Sequence, residues 1–331
     1  MSTPPRPGAT EERLYQIRHA ASAGLAHPST PQIQARDSYY GLPALKPPVW
    51  TWEVPLYFFC GGVAGVSAVL GFVGHLFRAD PAMVRMLLWM ALIGAAVCPM
   101  LLVADLGRPS RFLNMLRVFK LRSPMSMGAW ILVAFSGFAF AALLAHELQR
   151  AGVDSALLVN LGWLTEGLAA VTGLLLASYT GVLIGATAIP VWVAHRRVLP
   201  PHFLISGLGG SAAILELAGF LVPVTQALGF LAAGVETLLE AWFLFRRRPV
   251  DAPLHRGRSG GMFLAAGLLQ GPAALLLRLV PIGTPVGRTA AAACFLLGSV
   301  LSRYAWIWAG RASARDPTSQ FADQRAGLTR P

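Results

Sequence analysis

Eight long apolar segments limit the folds that this sequence can adopt. Each approaches or exceeds the roughly 20 residues that a helix needs to cross a bilayer. Backbone polar groups in lipid find partners only within a helix or a closed barrel, and continuous rather than alternating apolar runs favour helices. The sequence therefore predicts an all-α, polytopic membrane protein with eight transmembrane helices, near 55–77, 83–104, 127–146, 164–193, 203–222, 225–245, 260–280 and 286–309.

Composition supports a membrane protein, because only 13% of the 331 residues are charged whereas soluble domains carry about 25%. We expect a polar N-terminal tail at 1–50 that contacts a partner, a transmembrane domain at 51–310 and a short polar C-terminal tail at 311–331.

The run at 164–193 is too long for one perpendicular span, and Pro190 predicts a kink near its end.

The net charge of +12 is carried mainly by segments beside the apolar runs, which favours a membrane protein over a nucleic-acid-binding one. If both termini share a face, the loops and tails of that face hold 21 Lys and Arg residues and the opposite loops hold five. Cytoplasmic loops carry such an excess of positive charge. The pattern predicts a multi-pass protein of the inner membrane, in contact with lipid, with both termini in the cytoplasm.

Small residues recur at helical spacing. Gly61 and Gly65 form one GxxxG pattern, and Gly267 and Gly271 form another; such spacing allows close helix approach in lipid. Residues 62–70 also resemble 207–215 at an offset of 145 positions. This similarity predicts two related four-helix bundles, although glycine- and alanine-rich helices also match by chance.

Residues 104–128 form an unusually polar, basic connection between two apolar runs. Asp105 and Arg108 lie three residues apart, within reach of each other if the helix continues. Such a pair either anchors the loop structurally or recognises a polar group such as a quinone carbonyl. The preceding aromatic segment, 37–54, is either an interfacial belt or an ordered cover over a site; it contains Tyr39, Tyr40, Trp50 and Trp52.

Ionisable residues within membrane segments are expensive and commonly functional. Glu236 and Glu240 lie one turn apart on one helix face, where close carboxylates cannot readily both be ionised. They suggest a proton relay, with satisfied packing carboxyls as the alternative. The remaining candidates are Arg303 and the proton-path candidates Glu216, Glu166 and His75. Tyr179 offers a hydroxyl in mid-helix, for the polar site or for helix packing.

We expect no haem and no iron–sulfur cluster in this chain. A bundle haem usually needs two facing axial histidines, and only His75 and His146 fall within the apolar runs, both near helix ends. The three cysteines lie within apolar runs and lack ligand spacing. No metal site and no catalytic residue is predicted.

Three stretches resemble the NrfD family of polysulfide reductase membrane subunits: WTWEVPLYFFCGGVAG at 50–65, ADLGRPSRF continuing to RSPMSMGAW at 104–130, and SYTGVLIGATAIPVW at 178–192 with LPPHFLISGLGGSA at 199–212. The second is the most specific, and Ala104 replaces a leucine of the family signature. The resemblance runs through about 50–310.

The resemblance implies a membrane-anchor subunit of a multi-subunit respiratory oxidoreductase, not expected to be active alone. It implies a bound quinone or quinol (menaquinone or ubiquinone) with Asp105, Arg108, Tyr179 and Glu53 at the quinone-binding site. Electrons would pass between the quinone pool and a four-cluster, ferredoxin-like iron–sulfur subunit, itself joined to a molybdopterin-type catalytic subunit. Many family members dock that partner on the outer face, whereas the charge pattern here predicts the cytoplasmic face.

Two other classes fit parts of the pattern. A proton-translocating or transporter-like module is favoured by the internal similarity and the intramembrane carboxylates. A purely structural anchor would leave quinone turnover independent of Asp105 and Arg108.

Overall fold

The computed structural model of the protein describes residues 45–106, 112, 116, 117, 119, 120, 122–279 and 284–316. This part of the chain is helical, which confirms the all-α prediction, and contains no strand. Its helices are α1 Glu53–Leu76, α2 Pro81–Asp105, α3 Pro124–Arg150, α4 Ala156–Gly185, α5 Pro190–Ala194, α6 Leu199–Leu217, α7 Pro223–Phe245, α8 Ala252–His255, α9 Gly257–Leu279 and α10 Pro285–Arg315.

Helix starts follow local sequence signals. Proline occupies the first turn of α2, α3, α5, α7 and α10, where its missing N–H would have no helical partner anyway. Asp80 and Thr284 cap α2 and α10, because their side chains accept hydrogen bonds from the backbone N–H groups of Ala82 and Gly287.

Seven of the described helices are long and apolar enough to cross a membrane: α1, α2, α3, α4, α7, α9 and α10. The one remaining predicted span, 203–222, corresponds to α6, which has 19 residues but is too polar to be included. Most of α6 is buried, and it packs against α1, α4, α7 and α10. Because protein rather than lipid surrounds it, α6 can carry polar residues; the count of eight spans stays a prediction.

The fourth predicted span is wrong in its bounds and in its kink. The helix begins earlier, at Ala156, and ends at Gly185. Pro190 lies at the first position of the separate short helix α5. A proline is tolerated there but would break the hydrogen-bond ladder of a continuing helix. The last helix likewise extends to Arg315, beyond the predicted domain end at 310.

Helix α1 crosses α4 and α6 at glycines. A Cβ on Gly65 would overlap the carbonyl group of Gly173 on α4, and a Cβ on Gly207 would lie 2.7 Å from the Gly62 carbonyl oxygen. The hydroxyls of Ser67 and Ser211 are hydrogen-bonded at 3.1 Å across the second crossing. The two similar segments, 62–70 and 207–215, thus pack on each other; whether they derive from related halves stays a prediction.

A buried aromatic cluster joins the short helix α5 to α10. Trp192 donates a hydrogen bond from its indole N–H to the Trp306 carbonyl oxygen at 2.8 Å. Gly310 leaves room for the Trp192 ring, which a Cβ would overlap. This contact fixes α5 beside α10.

Candidate functional site

Thr51 connects two acidic residues on neighbouring helices. Its backbone N–H donates to Asp105 Oδ1 at 3.3 Å, and its hydroxyl lies 3.0 Å from the same oxygen. The hydroxyl also hydrogen-bonds to Glu53 Oε2. The structure therefore brings the predicted residues Asp105 and Glu53 together at one end of the bundle, through a residue that sequence reasoning missed. Arg108 lies outside the described residues, so its pairing with Asp105 stays a prediction.

The bridge combines one hydroxyl donor with two carboxyl groups. A threonine hydroxyl has one proton to donate, and ionised carboxylates only accept hydrogen bonds. Contacts from one hydroxyl to two carboxyl groups are both satisfied when one carboxyl group is protonated. Asp105 and Glu53 are half-buried, so water and a bound ligand can reach them. The bridge, which we call the Thr51 bridge (Thr51, Glu53 and Asp105), presents hydroxyl and carboxyl groups of the kind that serve in acid–base chemistry.

Three aromatic contacts hold the segment that carries Thr51. Trp50 stacks on Trp192 with ring centroids 5.5 Å apart and an interplanar angle of 13°. It also meets Phe58 edge to face at 6.3 Å. The Tyr304 hydroxyl on α10 donates to the Trp52 carbonyl oxygen at 2.9 Å. Residues 50–52 are therefore ordered against α1, α5 and α10, whereas Tyr39 and Tyr40 lie outside the described residues.

The structure places Tyr179 in a packing contact between α4 and α3. Its hydroxyl donates to the Pro124 carbonyl oxygen at 2.6 Å. Gly128 makes room for the ring, because a Cβ there would overlap it. The hydroxyl proton of Tyr179 thus joins the two helices, as the packing alternative predicts, and its place at a quinone-binding site stays a prediction.

An open cleft lies at the start of α3, in the described part of the polar loop. Its volume is about 510 Å³, and Phe119, Lys120, Arg122 and Ser123 line it. Phe119 packs edge to face on Trp130 at 5.8 Å. The cleft is open to its surroundings, and its lining combines an aromatic face with two cations.

A polar cluster of His195, Arg248 and Asp251 links the end of α5 to the connection between α7 and α8. The Asp251 carboxylate accepts from Arg248 Nε at 3.0 Å and Nη2 at 3.1 Å. Arg248 also donates to His195 Nε2 at 3.2 Å, while His195 Nδ1 lies 2.8 Å from the Val191 carbonyl oxygen. Burial lowers the pKa of His195. The contacts fit a neutral imidazole that donates through Nδ1 and accepts through Nε2.

A second polar cluster lies inside the bundle around Glu236 and Glu240, which we name the Glu240 cavity (His202, Glu236, Glu240, Gln270 and Ser302). His202 Nδ1 is 3.0 Å from Glu236 Oε2, although the atoms are not aligned for a hydrogen bond. His202 Nε2 is 3.3 Å from the Ser302 hydroxyl. These residues surround a cavity of about 10 Å³. The sequence prediction placed His202 outside the helices; it is buried on α6.

The other proton-path candidates lie in two separate pairings. Glu216 binds Arg278 at 2.9 and 2.7 Å and Arg288 at 3.0 Å. Glu166 is paired with His75 at 2.8 Å, and Trp163 stacks on the His75 ring at 4.1 Å. The five candidates therefore form three groups, of which only Glu236 and Glu240 share a cavity.

Sequence reasoning missed the partners of these carboxylates. Arg278 and Arg288 lie 62 and 72 positions from Glu216, and no local spacing relates them. Their presence near the ends of predicted spans was the only available signal. Within the part of the chain that the structure covers, no group of three or more His, Cys, Asp or Glu residues could hold a metal ion.

Comparison with known proteins places this architecture in a family. A family model described as "Polysulphide reductase, NrfD" matches residues 43–232, a range that includes the whole Thr51 bridge and ends within α7. Subunits of that family are generally quinone-interacting membrane anchors that partner with iron–sulfur and molybdopterin subunits. A search of curated proteins finds no match. Because the match covers more than half of the chain and agrees with the motifs at 50–65 and 104–130, the protein belongs to the polysulphide reductase NrfD family.

Proposed function

We propose that this protein is the quinone-interacting membrane subunit of a multi-subunit respiratory oxidoreductase. It passes electrons between the quinone pool and a ferredoxin-like iron–sulfur partner, which connects to a molybdopterin-type catalytic subunit. The observation that carries the proposal is the Thr51 bridge, which joins Glu53 and Asp105 within the family match. The electrons leave through the partner's clusters.

Within this proposal the bridge handles the quinol proton. Asp105 accepts a proton from a quinol hydroxyl, and Thr51 and Glu53 hold it near the surface. A positioned acid–base group commonly contributes about 100- to 10,000-fold to a proton-transfer step. Arg108, three residues after Asp105, stabilises developing negative charge on the quinone oxygen. The cleft beside Phe119 and Lys120 is the proposed approach for the ring.

The direct test replaces Asp105 by Asn in the assembled complex and measures quinol-dependent reduction of the partner's clusters. We expect a fall of at least about 100-fold in kcat, because the amide cannot take the proton. Asp154→Asn is the matched control, since Asp154 is exposed in the connection between α3 and α4. Equal activity of the two variants would support a structural anchor instead.

Partner docking on the cytoplasmic face is part of the proposal. The Lys and Arg residues are concentrated on the side of the 105–125 loop, and orientation follows such charge. Reporter fusions at the C-terminus measure this directly, and an extracytoplasmic C-terminus contradicts it. Copurification of an iron–sulfur chain with the full-length protein tests the partner.

A second candidate function is proton translocation coupled to quinone redox. The observation that favours it is the Glu240 cavity, where two buried carboxyl groups and His202 meet inside the bundle. Proton uptake by vesicles that contain the full complex, measured on quinol addition, tests it. A rate that is unchanged by Glu240→Gln contradicts this function without affecting the first.

A further inference from the structure

The Glu240 cavity is about the size of one water molecule. It lies between α6, α7, α9 and α10, and its volume of about 10 Å³ is close to the smallest space that accepts a water molecule. Three of its polar side chains are nearly completely buried, with exposed fractions of 3% for Glu236, 6% for Glu240 and 1% for Gln270.

The backbone around the cavity is shaped to admit these side chains. Gln270 lies in a π-helical turn, Leu269–Ala273, within α9; such turns frequently occur at functional sites. A Cβ on Gly267 would overlap the Glu240 carboxyl group. A Cβ on Gly298 would lie 2.7 Å from the Gln270 Cβ. Both glycines therefore create the room that the polar side chains occupy.

Three oxygens in this site lack partners. Glu236 Oε1, Glu240 Oε1 and Gln270 Oε1 are buried and accept no hydrogen bond from any described residue. A buried polar atom without a partner costs about 1–3 kcal/mol. A single water molecule donates two hydrogen bonds and can satisfy two of these oxygens at once.

The charges around the cavity favour a protonated Glu240. Glu236 lies 3.0 Å from His202 on α6 and interacts electrostatically with the cation of Arg303 on α10. Glu240 lies one helical turn further along α7 and has no ion-pair partner among the described residues. A second uncompensated carboxylate so close to Glu236 is costly in a buried site. The side chain that α9 contributes here, Gln270, is neutral.

We propose that the Glu240 cavity is a proton-storage site that holds one ordered water molecule in contact with Glu236, Glu240 and Gln270, with the proton on Glu240. In a transfer, Glu240 gives its proton to the water while the water gives one to Glu236. The water is then unchanged, and the negative charge has moved from Glu236 to Glu240. Use of this site in quinone turnover rests on the second candidate function; its occupancy does not.

Infrared spectroscopy of the full complex tests the site. A protonated buried carboxyl group gives a carbonyl stretching band that shifts in heavy water. We expect Glu240→Gln to remove such a band, and Gly267→Ala to shift or remove it by displacing the carboxyl group. Glu147→Gln and Gly261→Ala are the controls, because Glu147 is ion-paired with Arg85 and is not fully buried, and a Cβ on Gly261 meets nothing within 4 Å.

The outcomes separate the site from its use. A carbonyl band that persists unchanged in both Glu240→Gln and Gly267→Ala overturns the proposal. A band that appears only after sodium ions are removed also overturns it, because a cation rather than a water molecule would then occupy the cavity. If the Glu240→Gln variant does not accumulate in the membrane, Gln270→Leu serves as the test, because it removes the amide that contacts the water. A carbonyl band that is not shifted in Gln270→Leu overturns the proposal. A band that is lost in Glu240→Gln but does not respond to quinol supports the site and contradicts proton coupling.

Discussion

The guanidinium group of Arg278 donates two hydrogen bonds to the carboxylate of Glu216, at 2.9 and 2.7 Å, in a fully buried site. Arg288 completes the cluster through a further contact at 3.0 Å. The cluster therefore contains two cations and one anion. Because positive charge is in excess, loss of the one carboxylate should cost more stability than loss of one guanidinium group.

We expect Glu216→Gln to destabilise the protein by at least about 3–5 kcal/mol, because it leaves two buried guanidinium groups without a counter-charge. Arg278→Met should cost clearly less, since Glu216 and Arg288 then remain as a balanced pair. Thermal unfolding in detergent measures both. A larger loss for Arg278→Met than for Glu216→Gln would contradict this account.

Thr51→Val tests whether the hydroxyl takes part in proton exchange. Valine keeps the shape of the side chain but removes the hydroxyl that contacts both Glu53 and Asp105. We expect kcat for quinol oxidation to fall by about 10-fold or more, with recovery in Thr51→Ser, which restores the hydroxyl. Thr165→Val is the control, because the Thr165 hydroxyl donates within α4, to the carbonyl oxygens of Leu161 and Gly162. Similar activities of Thr51→Val and Thr51→Ser would show that the hydroxyl is not needed.

Trp50→Ala should loosen the segment that carries Thr51. The stack on Trp192 and the edge contact with Phe58 are lost, and an aromatic pair contributes about 0.5–1.5 kcal/mol beyond its buried area. We expect a modest fall in the unfolding midpoint and a larger fall in quinol turnover. Trp89→Ala on α2 is the comparison, since that partly exposed ring lies away from the bridge. If Trp50→Ala and Trp89→Ala lower quinol turnover equally, the order of residues 50–52 does not matter for the site and the prediction is wrong.

Gly65→Ala should weaken the crossing of α1 and α4. A Cβ there overlaps the backbone of Gly173, so the helices must separate, at a cost of about 1–3 kcal/mol or more. Gly137→Ala is the matched change in a helix interior where a Cβ meets nothing within 4 Å. It should stabilise the protein by up to about 1 kcal/mol. Unfolding midpoints that move in the same direction would exclude a close crossing.

Stability should depend on pH through His195. Burial lowers its pKa below the ordinary value of 6.5, so the unfolded chain takes up a proton at a higher pH than the folded protein does. The stabilisation that the neutral ring provides is therefore present above about pH 6.5 and is lost as the pH falls below it. His195→Gln should reduce this dependence of the unfolding midpoint. An unchanged pH profile would assign the dependence to other groups.

The sequence by itself determined the fold class, the family and most helix positions. Apolar runs and prolines act locally, through the length of chain that a bilayer needs and through the missing N–H of proline. The same local signals singled out Asp105, because it stands where an apolar run meets a polar segment, whereas Glu53 came from the family resemblance. They also placed Glu236 and Glu240 on one helix face.

Only the tertiary structure decided which faces meet. Three contacts join residues on different helices. They are the ion pairs of Glu216 with Arg278 and Arg288, the contact of the buried His202 with Glu236, and the hydrogen bond from the Tyr179 hydroxyl to the Pro124 carbonyl oxygen. Helical periodicity fixes the face on which a side chain stands but not the helix that lies opposite. That choice depends on where glycines such as Gly65 and Gly207 let backbones cross, and close packing there sets the partner of every polar group inside the bundle.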